Sequence, residues 1–148
     1  MKKAISACLA GVKCRYNGSS FLIEEYQQNP ADYILICPEV EGGLSTPRKP
    51  NEIKGIVTTN SYDDLVLGNI NIIDNEGNDY SKEFITGANK VLAILKKEKI
   101  NEVILKENSP SCGCNIIYDG TFTNKKIAGQ GILCALLIKN KIKVNSRE

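Results

Sequence analysis

Three cysteines of this chain each follow a short apolar run. Cys8 comes after Ala4-Ile5-Ser6-Ala7, Cys37 after Tyr33-Ile34-Leu35-Ile36, and Cys112 after Val103-Ile104-Leu105-Lys106 and a Ser/Pro loop. Runs this short and this continuously apolar read as strands covered on both faces, the pattern of a parallel sheet. If the three strands share one sheet, their thiols emerge together at its carboxyl edge, where open α/β sheets place ligands. Three thiols converging without an imidazole suggest a metal site with one position left open.

The remaining elements follow from punctuation and periodicity. Ser19 or Ser20 is expected to cap a helix running to residue 28, stopped by Asn29-Pro30. Pro38 should end the second strand because it has no backbone donor. Gly42-Gly43, Pro47 and Pro50 make 41–54 an expected surface loop, and Asn75-Glu76-Gly77 suggests a turn between short extended pieces within 53–79. Residues 81–99 carry Phe84, Ile85, Ala88, Val91, Leu92 and Leu95 on one helical stripe. A strand at 102–106, a helix at 131–140 and a strand at 142–144 complete the order. This alternation predicts one α/β domain over 1–148: a mostly parallel, Rossmann-like sheet with helices on both faces.

Composition removes whole classes of chemistry. The 148 residues contain no histidine, which excludes a Ser-His-Asp triad, a Cys-His dyad and Cys₂His₂ zinc within one chain. Net charge is +2 and aromatic content 6% with no Trp, a poor endowment for gripping nucleic acid. Six cysteines (8, 14, 37, 112, 114 and 134) would suit three disulfides in an exported protein. Ile5-Ser6-Ala7-Cys8 after Lys2-Lys3 even mimics a lipoprotein box, yet the apolar stretch between falls short of the roughly 7–15 residues an export signal needs. The longest apolar run, 132–138, is also far below the about 20 residues of a membrane span. The expectation is a cytoplasmic protein whose thiols are reduced or metal-bound.

Several loops carry groups capable of chemistry. Ser109-Pro110-Ser111-Cys112-Gly113 offers two hydroxyls, a thiol and free backbone N–H groups, suited to an anion or a polarised ligand or, equally, to a plain Ser/Pro turn. Cys37-Pro38-Glu39 sets a carboxyl two residues from a thiol, although an isolated loop glutamate is more often solvated. Cys112-Gly113-Cys114 could chelate, but the spacing is unspecific. Arg15 could hold an anionic group of a substrate, and Gly129-Gln130-Gly131 is a weak anion signal at a helix start. Cys134, inside an apolar helix, reads as a small core residue.

Taken together, these segments resemble one family. Ser6-Ala7-Cys8-Leu9-Ala10-Gly11 with Arg15-Tyr16-Asn17-Gly18 carries the likeness, as do Cys37-Pro38-Glu39 with Gly42-Gly43-Leu44, and Pro47-Arg48. So do Leu105-Lys106, Ser109-Pro110-Ser111-Cys112-Gly113 and Tyr118-Asp119-Gly120-Thr121-Phe122. They are similar to a short bacterial family long labelled a domain of unknown function, whose characterised members are TudS-like thiouracil desulfidases. The resemblance implies a 4Fe–4S cluster held by three cysteines, Cys8, Cys37 and Cys112, with the fourth iron open to substrate sulfur. It implies hydrolytic, non-redox removal of sulfur from a small thiolated pyrimidine such as 4-thiouracil, giving uracil and hydrogen sulfide. Glu39 would move the proton, Ser109 would position water or protonate a ring nitrogen, and Ser111 would orient the base. Cys14 and Cys114, outside the three motif positions, are expected to be bystanders. The alternatives are a non-catalytic zinc or redox-sensing protein and a desulfurase of thiolated tRNA, which the low charge disfavours.

Overall fold

The computed structural model describes residues 2–58 and 60–148. Its centre is a four-stranded sheet of β1 (Lys3–Ser6), β2 (Tyr33–Ile36), β5 (Glu102–Lys106) and β8 (Lys143–Arg147), in the order β2-β1-β5-β8 with every pairing parallel. The three apolar runs are thus adjacent strands. The chain leaves β1 toward β2 on one side and leaves β5 toward β8 on the other. The carboxyl ends of β1 and β5 therefore flank the switch point at which such sheets form a crevice.

Alternation along the strands divides the core between the two faces. Ala4, Val103 and Leu105 face the larger core, which they share with α4 (Ser81–Lys97) and α5 (Ile132–Lys139). Ile5 and Ile104 face a smaller one with Leu9, Ile23 and Tyr26, the last from α1 (Glu24–Gln28). The α4 stripe behaves as its spacing predicts. Phe84, Ala88, Val91, Leu92 and Leu95 are buried and Ile85 packs half-buried beside them, each large side chain contributing about 1.5–3 kcal/mol.

Some expectations are corrected. The helix expected from Ser19 or Ser20 begins only at Glu24, with Ile23 in the cap position. Ser19 instead takes a hydrogen bond from Arg15. Phe21 and Ile23 donate their backbone N–H groups to Cys8 and Leu9, so tertiary pairing holds 21–23 extended. The loop expected at 41–54 opens on the end of one helix and holds a strand. Pro38, rather than only ending β2, starts α2 (Pro38–Glu41), where its missing N–H costs nothing. β3 (Asn51–Lys54) pairs antiparallel with β4 (Asn71–Asp74). Between them lies the unforeseen α3 (Ser61–Leu67), N-capped by Asn60; Thr59, just before it, lies outside the described residues. The turn expected near Asn75-Glu76-Gly77 is present, and the Asp74 carboxylate accepts the N–H groups of Glu76 and Asn78 to hold it. β6 (Ile116–Tyr118) pairs antiparallel with β7 (Lys126–Ala128). β8 runs to Arg147, three residues past the expected end.

Candidate active site

The carboxyl edge of the sheet opens into a cavity of about 310 Å³, at the small end of ligand pockets. Cys8, Cys14, Cys37 and Cys112 line it together with Glu39 and Ser109. Each arrives by a separate route. Cys8 lies in the single helical turn Ala7–Leu9 that follows β1. Cys37 is the residue between β2 and α2, and Glu39 sits in the first turn of that short helix. Ser109 to Cys112 form the loop beyond β5.

Two glycines set the approach of the two helices involved. A Cβ on Gly87 of α4 would lie 1.9 Å from the Pro38 carbonyl oxygen, and one on Gly131 would lie 2.5 Å from the backbone of Ser111. Only glycine lets α4 seat the turn carrying Glu39, and lets α5 begin against the Ser-Pro-Ser-Cys loop. The first N–H groups of α5 are spent on that loop: Ile132 donates to Pro110 O at 2.9 Å, and Leu133 and Cys134 to Ser111 O at 2.9 and 3.2 Å. The N–H groups of Gly129 and Gly131 are also taken, by Asn115 O and Gly113 O, so most donors of the Gly129-Gln130-Gly131 signal serve the structure of the loop.

Glu39 is the polar centre of the cavity. Its Oε1 accepts hydrogen bonds from Ser111 Oγ at 2.5 Å and Ser109 Oγ at 3.1 Å. Its Oε2 faces Cys37, whose thiol donates over 3.8 Å. Ser109 Oγ also accepts the backbone N–H groups of Ser111 and Cys112, both at 3.1 Å. With its lone pairs taken by the loop, Ser109 has chiefly its proton to offer, and that proton points to Glu39. The three polar residues singled out from sequence thus form one hydrogen-bonded unit, and the glutamate is buried rather than solvated.

The thiols group in two sets. Cys14 packs in one buried cluster with Cys8 and Cys37. Contact with Cys14, then burial, then the nearby Glu39 charge all raise the Cys37 pKa. Cys14 is pushed up to about 11: the contact with Cys37 works downward, and the contact with Cys8 together with burial outweighs it. Burial, and after it the charge of Glu39, raises Cys112. Cys114 belongs elsewhere. Its thiol donates to the Cys112 carbonyl and contacts Cys134, which is fully buried in α5. The Cys-x-Cys pair therefore points in two directions and does not chelate together.

Sequence reasoning missed two carboxylates that hold the rim. Glu107 accepts the backbone N–H groups of Cys114, Asn115 and Ile116 at 2.6, 2.9 and 3.2 Å. Glu52 accepts those of Gly120 and Phe122, fixing the turn that brings Phe122 to the cavity. Their sequence signal is faint: each is a charged residue on or beside an apolar strand. Arg15 also lines the cavity, but its guanidinium bonds Ser19 Oγ and lies 4.4 Å over the Phe21 ring.

The donor set suits an iron–sulfur cluster. Thiolates are its standard protein ligands, and the lining offers soft sulfur without imidazole. Among the described residues no three Cys, Asp or Glu side chains converge as a single-ion chelate. That is compatible with a cluster, which takes its thiolates one per iron and so needs them spread around it.

Comparison with known proteins agrees with this arrangement. The family model described as 2-thiouracil desulfurase matches residues 4–148. The uncharacterized protein YbbK of Bacillus subtilis (strain 168) is 44% identical over 135 residues, covering 90% of this chain and 87% of its own. The solved structure of a [4Fe-4S]-dependent thiouracil desulfidase, TudS, superposes with a TM-score of 0.84 at 35% identity, covering 99% of this chain and 90% of that one. The architecture, the cysteine-lined crevice and the family match agree: this chain belongs to the 2-thiouracil desulfurase family of enzymes.

Proposed function

We propose that the protein removes sulfur from a small thiolated pyrimidine by hydrolysis without net electron transfer, converting for example 4-thiouracil and water into uracil and hydrogen sulfide. Cys8, Cys37 and Cys112 would hold a 4Fe–4S cluster for this purpose. The observation that carries the reading is the juxtaposition, in one cavity, of thiols from three adjacent strand ends with Glu39 and Ser109. A bound cluster would supply a thiophilic Lewis acid for the sulfur of the substrate.

The remaining work falls to residues of the chain. Glu39 has one oxygen occupied by two serine hydroxyls and one turned toward the cysteines. The second, Oε2, is the atom placed to take a proton from water attacking the ring carbon. The two serine hydroxyls stabilise the carboxylate and fix its orientation. Ser109 can pass a proton between Glu39 and a ring nitrogen, and Ser111, buried behind the cavity wall rather than lining it, orients the base only through the carboxyl it holds. Phe122, Tyr118 and Tyr16 give the opening an apolar lining suited to a flat ring. A single base matches the size of the cavity better than a folded nucleic acid does, which favours a small molecule over thiolated tRNA.

Anaerobic reconstitution tests the reading. It expects close to four irons per chain and sulfide release from thiouracil. Stoichiometric zinc with no iron after reconstitution would overturn it in favour of a non-catalytic metal or redox protein. Comparing the free base, its nucleoside and thiolated tRNA as substrates separates the small-molecule reading from the tRNA one.

A further inference from the structure

A buried cysteine is ordinarily a small apolar filler, and Cys134 fits that description. Cys14 does not. It is 7% exposed and packs in one cluster with Cys8 and Cys37. It shares the cavity wall with Cys8, Cys37 and Cys112, whereas Cys114 and Cys134 are absent from that lining. Four of the six cysteines therefore surround one space.

The position of Cys14 is built from both sides. Its backbone N–H donates to Val12 O at 2.9 Å, and its carbonyl accepts Arg48 Nη2 at 3.2 Å. Arg48 also donates its backbone N–H to Tyr16 O at 2.6 Å, so the segment is pinned to the loop preceding β3 at two points. Gly11 at φ 87° and Gly18 at φ 74° bracket it. Such residues permit a loop to change direction without side-chain strain. The segment that carries the thiol is therefore held in place at the cavity wall by contacts on both sides.

We propose that Cys14 is the fourth sulfur ligand of the resting centre, and that the sulfur of the substrate displaces it. The inference rests on the cluster reading above. Four thiolates is the ordinary complement of a 4Fe–4S centre, and Cys14 is the further thiol that faces the same cavity. With a cluster bound, the Cys14 thiolate would leave its iron as the thiocarbonyl sulfur of the substrate takes the position, a ligand exchange in which no electron moves. Occupancy by Cys14 would protect the reactive iron from loss between turnovers and make substrate compete with an internal ligand.

Site-differentiated clusters lose their distinct iron on mild oxidation and become [3Fe–4S] centres visible by EPR. The test compares reconstituted wild type, Cys14→Ala and, to keep the volume of the site, Cys14→Val during ferricyanide titration, with Mössbauer spectra of each resting cluster. Both variants should convert several-fold faster than wild type, because the distinct iron then has no protein sulfur of its own. They should also show one iron of the four with non-sulfur ligation. Adding thiouracil to wild type should also make one iron distinct, here with sulfur still bound, because a thiocarbonyl sulfur replaces the thiolate. Equal conversion rates and one distinct iron already in the resting wild type would overturn the role of Cys14 and leave the cluster reading standing. Failure of wild type to assemble any 4Fe–4S cluster would overturn both.

Discussion

Replacing Glu107 with glutamine isolates the contribution of one buried carboxylate to the loop that carries Cys112. Burial works to raise the pKa of Glu107. Hydrogen bonds from the Ser146 side chain and the backbone N–H groups of Asn115, Cys114 and Ile116 outweigh it and bring the value from 4.5 to about 2. That gap corresponds to at most about 3 kcal/mol of stability. Because the folded-state pKa is depressed, the contribution is fully present above about pH 4.5 and fades as pH falls toward 2. By pH 3 about 2 kcal/mol of it should be gone. Denaturant unfolding of the reduced apo-protein, wild type and Glu107→Gln, at several pH values between 7 and 3 measures the difference. The variant should be less stable by about 2–3 kcal/mol near neutrality, with the two curves drawing together as the medium becomes acid. Parallel curves over that range would refute the assignment, since they would mean that Glu107 titrates alike in the folded and unfolded chains.

Glu39→Ala should keep its iron after reconstitution and lose sulfide release by about a hundred-fold or more, the usual contribution of a positioned acid–base group; iron analysis and a sulfide assay on one sample check both halves. Cys112→Ala should lose the cluster itself, seen as loss of the visible iron–sulfur absorption. Gly87→Ala should destabilise the fold by about 1–3 kcal/mol through overpacking against the Pro38 carbonyl. It should also slow turnover, because Glu39 moves with that turn; thermal unfolding and steady-state kinetics read the two effects. Phe84→Ala should cost about 3–5 kcal/mol by emptying the main core, measurable by denaturant unfolding.

Much of the sheet was legible because its strands are continuous apolar runs. A parallel strand buried on both faces has little choice of composition, and 33–36 and 102–106 match their observed limits. Helix α4 was legible through its 3.6-residue stripe. The β3–β4 hairpin and α3 were not, because 41–79 is punctuated by Gly and Pro and its short elements gain order from long-range pairing. The same holds for 21–23, where an apparent serine cap is overridden by backbone bonds to Cys8 and Leu9.

The site divides along the same line. Sequence alone determined which chemistry was open to this protein: no imidazole, six thiols, and three of them placed just beyond strands whose parallel pairing brings the ends together. It also marked Glu39, Ser109 and Ser111, each a short step from one of those cysteines. Tertiary structure decided which thiols face the cavity. Cys14 lies on a loop whose direction is set by contacts with Arg48, more than thirty residues away, and Cys114 is turned toward a helix that begins after residue 130. Spacing along the chain carries no information about such contacts, because loop direction depends on partners that the fold supplies. Tertiary structure likewise made Glu39 and the two serines one unit, since α4 and α5 seat their turns through the close approaches at Gly87 and Gly131.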